Sequence, residues 1–163
     1  MIASDARMHA VAPFEFGVVA ADIDAMLAFY VGVLGLAVLS DFDVPADKSL
    51  LTGLAPDGYR IVRLESNRGD RLKLARPAPA PQSSAPADYA MQRRGGCYVT
   101  FIVDDLRSLH ERMVRAGTAI RSRGVVELRP GVWLVLATDP EGNFLEFLQY
   151  DDLASYRPAK QAA

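Results

Sequence analysis

Cysteine is almost missing from this chain. Cys97 is the one thiol in 163 residues, which excludes an intrachain disulfide and a zinc site built on paired thiolates. Histidine is scarce too: His9 and His110 are the only two, too few for a histidine-rich metal centre. No run approaches the roughly 20 apolar residues of a membrane-spanning helix. The longest uncharged apolar stretch, residues 25–39, still falls short of that and holds two glycines. There is no basic surplus, since 18 Lys and Arg face 20 Asp and Glu, and this speaks against a non-specific nucleic-acid binder. The first ten residues lack the apolar run of a signal peptide. The chain therefore reads as a soluble, cytoplasmic protein with neither nucleic acid nor membrane as partner. What is present is ordinary globular usage, 50% hydrophobic and 23% charged, which excludes a disordered or fibrous chain.

Periodicity and turn residues divide the chain into a leader (1–13), a first module (14–76), a proline-rich linker (77–94), a second module (95–150) and a polar tail (151–163). In the first module, Phe- and Val-rich residues 14–21 read as a strand. Asp22 is a candidate N-cap, followed by apolar residues at helical spacing: Ile23, Met26, Leu27, Tyr30 and Leu34. Gly35 ends that helix. A strand over 36–42, a loop or lid over 44–58, and a hairpin of 59–65 with 71–75 follow. Prolines set the linker, because they remove donors and favour extended geometry.

The second module repeats this order. A strand over 97–103 leads to Asp104 or Asp105 as cap, then to a helix with Leu106, Leu109, Met113 and Val114 on its apolar positions, ended by Gly117. Short strands near 118–121 and 125–128 precede stronger ones at 132–138 and 143–150. The turn Asp139-Pro140-Glu141-Gly142 joins the last two, with proline and glycine at positions that suit a tight turn. Asp22-Ile23 matches Asp105-Leu106, and Gly69-Asp70-Arg71-Leu72-Lys73-Leu74 matches Gly142-Asn143-Phe144-Leu145-Glu146-Phe147. The first module is the longer, and the extra residues fall most simply in 44–58. The expected fold is α+β: two βαβββ modules related by pseudo-twofold symmetry, their curved mixed sheets enclosing a cleft.

Phe29-Tyr30-x-x-Val33-Leu34-Gly35-Leu36, the helix of the second module, and Asp139-Pro140-Glu141-Gly142-Asn143-Phe144-Leu145-Glu146-Phe147 resemble the vicinal oxygen chelate superfamily. That superfamily includes glyoxalase I, extradiol dioxygenases and bleomycin-resistance proteins. The resemblance covers about residues 14–150. It implies four strand residues, two per module, that hold a divalent metal in the cleft. Carried onto this chain, those positions are Glu15, Lys73, Tyr98 and Glu146. Of these only Glu146 is a usual ligand. Lys73 departs from the pattern, because an ammonium has three donors and no lone pair. Lys73 between Glu15 and Glu146 would act as a built-in substitute for the cation.

The resemblance implies a glyoxalase/dioxygenase-like enzyme acting on a small oxygenated organic molecule. The reading favours proton transfer of isomerase or lyase type without a bound metal: Glu15 or Glu146 as base, Lys73 as oxyanion stabiliser, Tyr98 as auxiliary donor. No cofactor is favoured, and a homodimer is expected. One alternative is a non-catalytic drug- or metabolite-binding protein of resistance type, with the same charged residues as a structural ion cluster. Another is a divalent-metal enzyme with Glu15 and Glu146 as oxygen ligands. Elsewhere the bland assignments prevail: Tyr98 as a strand core residue, Cys97 as a small buried filler, His110 as a surface or half-buried helix residue, Trp133, Phe144 and Phe147 as core or cleft wall. Arg60, Arg63, Arg71 and Arg76 read first as charge protecting a sheet edge and second as a carboxylate or phosphate recognition set.

Overall fold

The structure is a computed structural model that describes residues 11–82, 87–92 and 94–158. His9 and most of the leader lie outside the described residues. The chain forms two units, Met1–Gln82 and Ser83–Ala163.

In the first unit β1 (Glu15–Val19) runs into α1 (Ile23–Leu27). Asp22 caps α1 by accepting the Ala25 N–H at 3.0 Å, as its short carboxylate suits. The helix then loosens into a π-helical segment, Ala28–Val33, and ends at Gly35, whose φ of 80° few other residues adopt. Strands β2 (Ala37–Val44), β3 (Tyr59–Glu65) and β4 (Arg71–Pro77) complete a sheet of order β1-β4-β3-β2, with β1 parallel to β4. One face carries Val18, Val62, Leu64, Leu72 and Leu74, all buried, and packs with Ile23, Met26, Phe29 and Tyr30 of the helical segment. The period-2 alternation of strand side chains leaves the other face to Glu15, Gly17, Arg63, Glu65, Arg71 and Lys73.

The second unit repeats the order. Its strands β5 (Tyr98–Ile102), β6 (Ala119–Ile120), β7 (Val126–Arg129), β8 (Val132–Thr138) and β9 (Phe144–Tyr150) form a sheet of order β5-β9-β8-β6, with β7 also on β8 and β5 parallel to β9. Helix α3 (Leu106–Arg115) is capped by Asp105, which accepts the Ser108 N–H at 3.0 Å. Its Leu106, Leu109 and Met113 bury against the sheet. The Asp139 turn follows from one buried carboxylate, which accepts the N–H groups of Glu141 and Asn143 and the Asn143 amide, all within 3.0 Å. Such Asx geometry satisfies the acid locally.

Several expectations need correction. The segment 44–58 is not all loop: α2 (Ala46–Thr52) lies in it, ended by Gly53 in the left-handed region. The tail holds α4 (Leu153–Tyr156), capped by Asp152. Strand β4 runs through Pro77. Val114 is exposed, because its position on α3 turns it away from the sheet. Cys97 is exposed rather than buried, since it precedes β5. Tyr98 is 39% exposed and is no core residue, because its face of β5 bears no helix. The arginines do not guard a sheet edge: β3 and β4 are the two inner strands, and β1 and β2 are the edges.

Candidate functional site

The site is built from register. Glu15 pairs with Arg71 and Gly17 with Lys73 across the parallel β1·β4 ladder. Arg71 and Lys73 face Glu65 and Arg63 across the β3·β4 ladder. All six therefore share one face. Lys73 Nζ lies 3.4 Å from Glu15 Oε2, and Arg71 Nη1 lies 3.4 Å from Glu15 Oε1. Arg71 Nε also donates to Glu65 Oε2 at 2.8 Å. An ion chain Lys73–Glu15–Arg71–Glu65 results. Partial burial alone would raise the Glu15 pKa. The hydrogen bonds from Arg71 and Lys73, with the charges of Lys73 and Arg63, outweigh it and hold the carboxyl below its ordinary 4.5. Glu65 and Glu15 together hold Arg71 above its ordinary range, with the Glu65 hydrogen bond the larger cause.

In the second unit Thr100 pairs with Glu146 and Tyr98 with Phe144. Thr100 Oγ1 donates to Glu146 Oε2 at 2.7 Å. Tyr98 shares the face of Glu146 but sits two register positions along, and the hydroxyl held to Glu146 is that of Thr100. On the same face, Tyr150 stacks on Tyr156 with ring centroids 3.9 Å apart. Burial first, then the hydrogen bond with Tyr156, pushes the Tyr150 phenol up to about 12, so it stays protonated at neutral pH.

Each unit thus assembles its own half of the expected set: Glu15 with Lys73 in the first, Glu146 with Tyr98 on a neighbouring strand in the second. Glu65 and Thr100 were missed, and Arg71 was singled out only within an arginine set, not as the partner of Glu15. The signal for Arg71 was present, since it lies two residues before Lys73 on a strand. Thr100 required the parallel register, which local sequence does not state.

The superfamily's metal can be tested against these residues. Both oxygens of Glu15 already face cations, and an ammonium stands at a ligand position. Among the described residues no three His, Cys, Asp or Glu side chains gather to hold an ion. The donor set of the first unit does not fit a divalent cation.

Two mixed sheets of matching strand order, each with a helix on one face, define the glyoxalase class of fold. The sequence profile of the Glyoxalase/Bleomycin resistance protein/Dioxygenase superfamily matches residues 9–147, and the chain belongs to that superfamily. Among solved structures, a glyoxalase family protein from Bacillus cereus is similar at 20% identity and a TM-score of 0.73, over 89% of this chain and 97% of that one. A glyoxylase/bleomycin resistance protein/dioxygenase domain from Frankia is similar at 18% identity and a TM-score of 0.65, over 90% and 95%. The trypanothione-dependent glyoxalase I of Leishmania major is similar at 20% identity and a TM-score of 0.61, over 90% and 92%. These likenesses establish the fold. No curated protein sequence matches the chain.

Proposed function

We propose that the protein is a metal-independent proton-transfer enzyme, of isomerase or lyase type, acting on a small oxygenated carbonyl compound. The observation that carries this reading is the Lys73–Glu15 ion pair at 3.4 Å, which puts a fixed positive charge where the superfamily pattern has a metal ligand. A base removes the proton from the carbon next to the substrate carbonyl. The C–H electron pair becomes the C=C bond of an enolate, the carbonyl π pair moves onto oxygen, and the Lys73 ammonium donates a hydrogen bond to the resulting oxyanion. With an α-hydroxycarbonyl substrate, return of the proton to the former carbonyl carbon, with the hydroxyl proton passed to the oxyanion, completes an isomerisation; re-formation of the carbonyl with loss of a group from the β carbon completes an elimination. Glu15 holds the Lys73 ammonium in place through their ion pair, and its depressed pKa weakens it as a base. The base is Glu15 or Glu146, the latter held by Thr100, and Tyr98 is an auxiliary donor.

The test is solvent exchange in D2O followed by proton NMR, with α-hydroxyketones and α-oxo acids as probes and chelator-treated protein. The wild type is expected to exchange the proton next to the carbonyl. Lys73→Met should slow exchange by about 100-fold or more, the usual cost of an oxyanion donor. The variant that loses exchange among Glu15→Gln and Glu146→Gln identifies the base. Exchange that appears only after magnesium or manganese is added would overturn the metal-independent reading. A second reading, non-catalytic binding, is supported by the ion chain itself, since a closed network of paired charges is also what a structural cluster looks like. Binding of a probe with no exchange over long incubation would favour it.

A further inference from the structure

Arg63 is the charge on this face that the ion chain leaves out. The strands present Arg63, Arg71 and Lys73 against Glu15 and Glu65, so one positive charge has no carboxylate of its own. Arg63 forms no ion pair among the described residues; its guanidinium lies 5.3 Å from the centroid of the Phe42 ring. Its Nε is buried without a hydrogen-bond partner. The same holds for the hydroxyl of Ser40, and these are the two such side-chain atoms among the described residues.

They are also register partners. A bulge between Val38 and Ser40 shifts β2 by one residue and sets Ser40 opposite Arg63, re-aiming the strand as bulges do. One row across the sheet therefore reads Gly17, Lys73, Arg63, Ser40. At Gly17 a Cβ would meet nothing within 4 Å, so the row has open space beside Lys73. Two unsatisfied polar groups side by side are costly, and the remedy this row lacks is an anion with acceptor oxygens. A guanidinium edge of Nε and one Nη matches a carboxylate in bidentate fashion.

We propose that Arg63, with Ser40 and Lys73 beside it, binds the carboxylate of the ligand, so that the ligand class is a small organic acid. This rests on the reading of Lys73 given above: the acid's carboxylate sits on Arg63 and the oxygen of its adjacent carbon lies toward Lys73, which makes an α-oxo acid the expected form.

The probe is pyruvate, with its uncharged methyl ester and inorganic phosphate as comparisons, titrated into the full chain labelled with ¹⁵N. The Arg63 Nε–H signal should move with pyruvate and stay in place with the ester. Arg63→Gln should raise the Kd for pyruvate by about tenfold or more, as for a lost charged hydrogen bond, and Arg63→Lys should restore only part of it. The signal shift is read on wild-type protein, so a variant that fails to fold leaves the test intact. Pyruvate and its ester binding alike, or phosphate binding where pyruvate does not, would overturn the proposal. The two readings fail separately. Carboxylate binding through Arg63 without proton exchange removes the catalytic reading alone. Exchange on neutral ketones that Arg63→Gln leaves untouched, with no carboxylate preference, removes this one alone.

Discussion

Glu15 sits between two cations, and this gives the residue a pH signature. Its carboxyl lies below the ordinary 4.5 in the folded chain and returns to about that value when unfolded. Above the ordinary value both states are ionised, and the pair's contribution to stability is complete. As pH falls below it, the unfolded chain takes up the proton first, and the contribution is lost on the way through the folded-state pKa. Glu15→Gln should therefore lower Tm at pH 7, and its gap to wild type should narrow as pH falls from about 5 to about 3. Thermal unfolding of both proteins over that range checks it, and a constant gap would contradict it. The groups are partly exposed, so salt should shrink the gap as well. The site residues differ in how legible they were. Glu15 and Lys73 were singled out by the superfamily resemblance, and strand alternation is consistent with their sharing a face. Arg63 and Ser40 could not be placed, because a bulge changes register by one and nothing in the local pattern announces it.

At the scale of elements, the turn and cap residues carry the argument. Gly58 closes the segment between α2 and β3 with φ of 87°. A Cβ there would meet the Val44 carbonyl oxygen at 2.7 Å. Gly58→Ala combines a left-handed backbone with a backbone clash, and it should cost about 1–3 kcal/mol, measurable by urea unfolding. A loss within about 0.5 kcal/mol, the range of an ordinary surface change, would show that the segment relaxes freely. Helix caps at Asp22 and Asp105 and the turn at Asp139 were readable because each is satisfied within about four residues of itself. Helix α2 was not. Its residues, Ala46–Thr52, have a proline before them and a glycine after, and those same punctuating residues suggested a loop.

For the whole molecule, membership of the superfamily is established, and among the described residues no helix is long and apolar enough to cross a membrane. The homodimer that the resemblance implies is carried here as a proposal. It draws support from large apolar side chains left exposed on and after α2: Leu50 at 66%, Leu51 at 81% and Leu54 at 69%. Sedimentation equilibrium should give twice the 17.7 kDa of the chain, and Leu51→Asp should shift the population toward monomer. A wild-type mass of 17.7 kDa at micromolar concentration would overturn the dimer.

The superfamily resemblance singled out Glu15 and Lys73, while most of the strands, helices α1 and α3, and the two-unit repeat were legible in the sequence without it. Those elements are written in periods of two or 3.6 residues, or in caps and glycines that act within a few positions. Tertiary structure alone decided that β3 and β4 lie inside the sheet, that Thr100 rather than Tyr98 holds Glu146, that Cys97 is exposed, and that Ser40 stands beside Arg63. Those outcomes depend on which backbone groups pair across strands distant in sequence. A shift of one residue in that pairing moves every side chain to the other face.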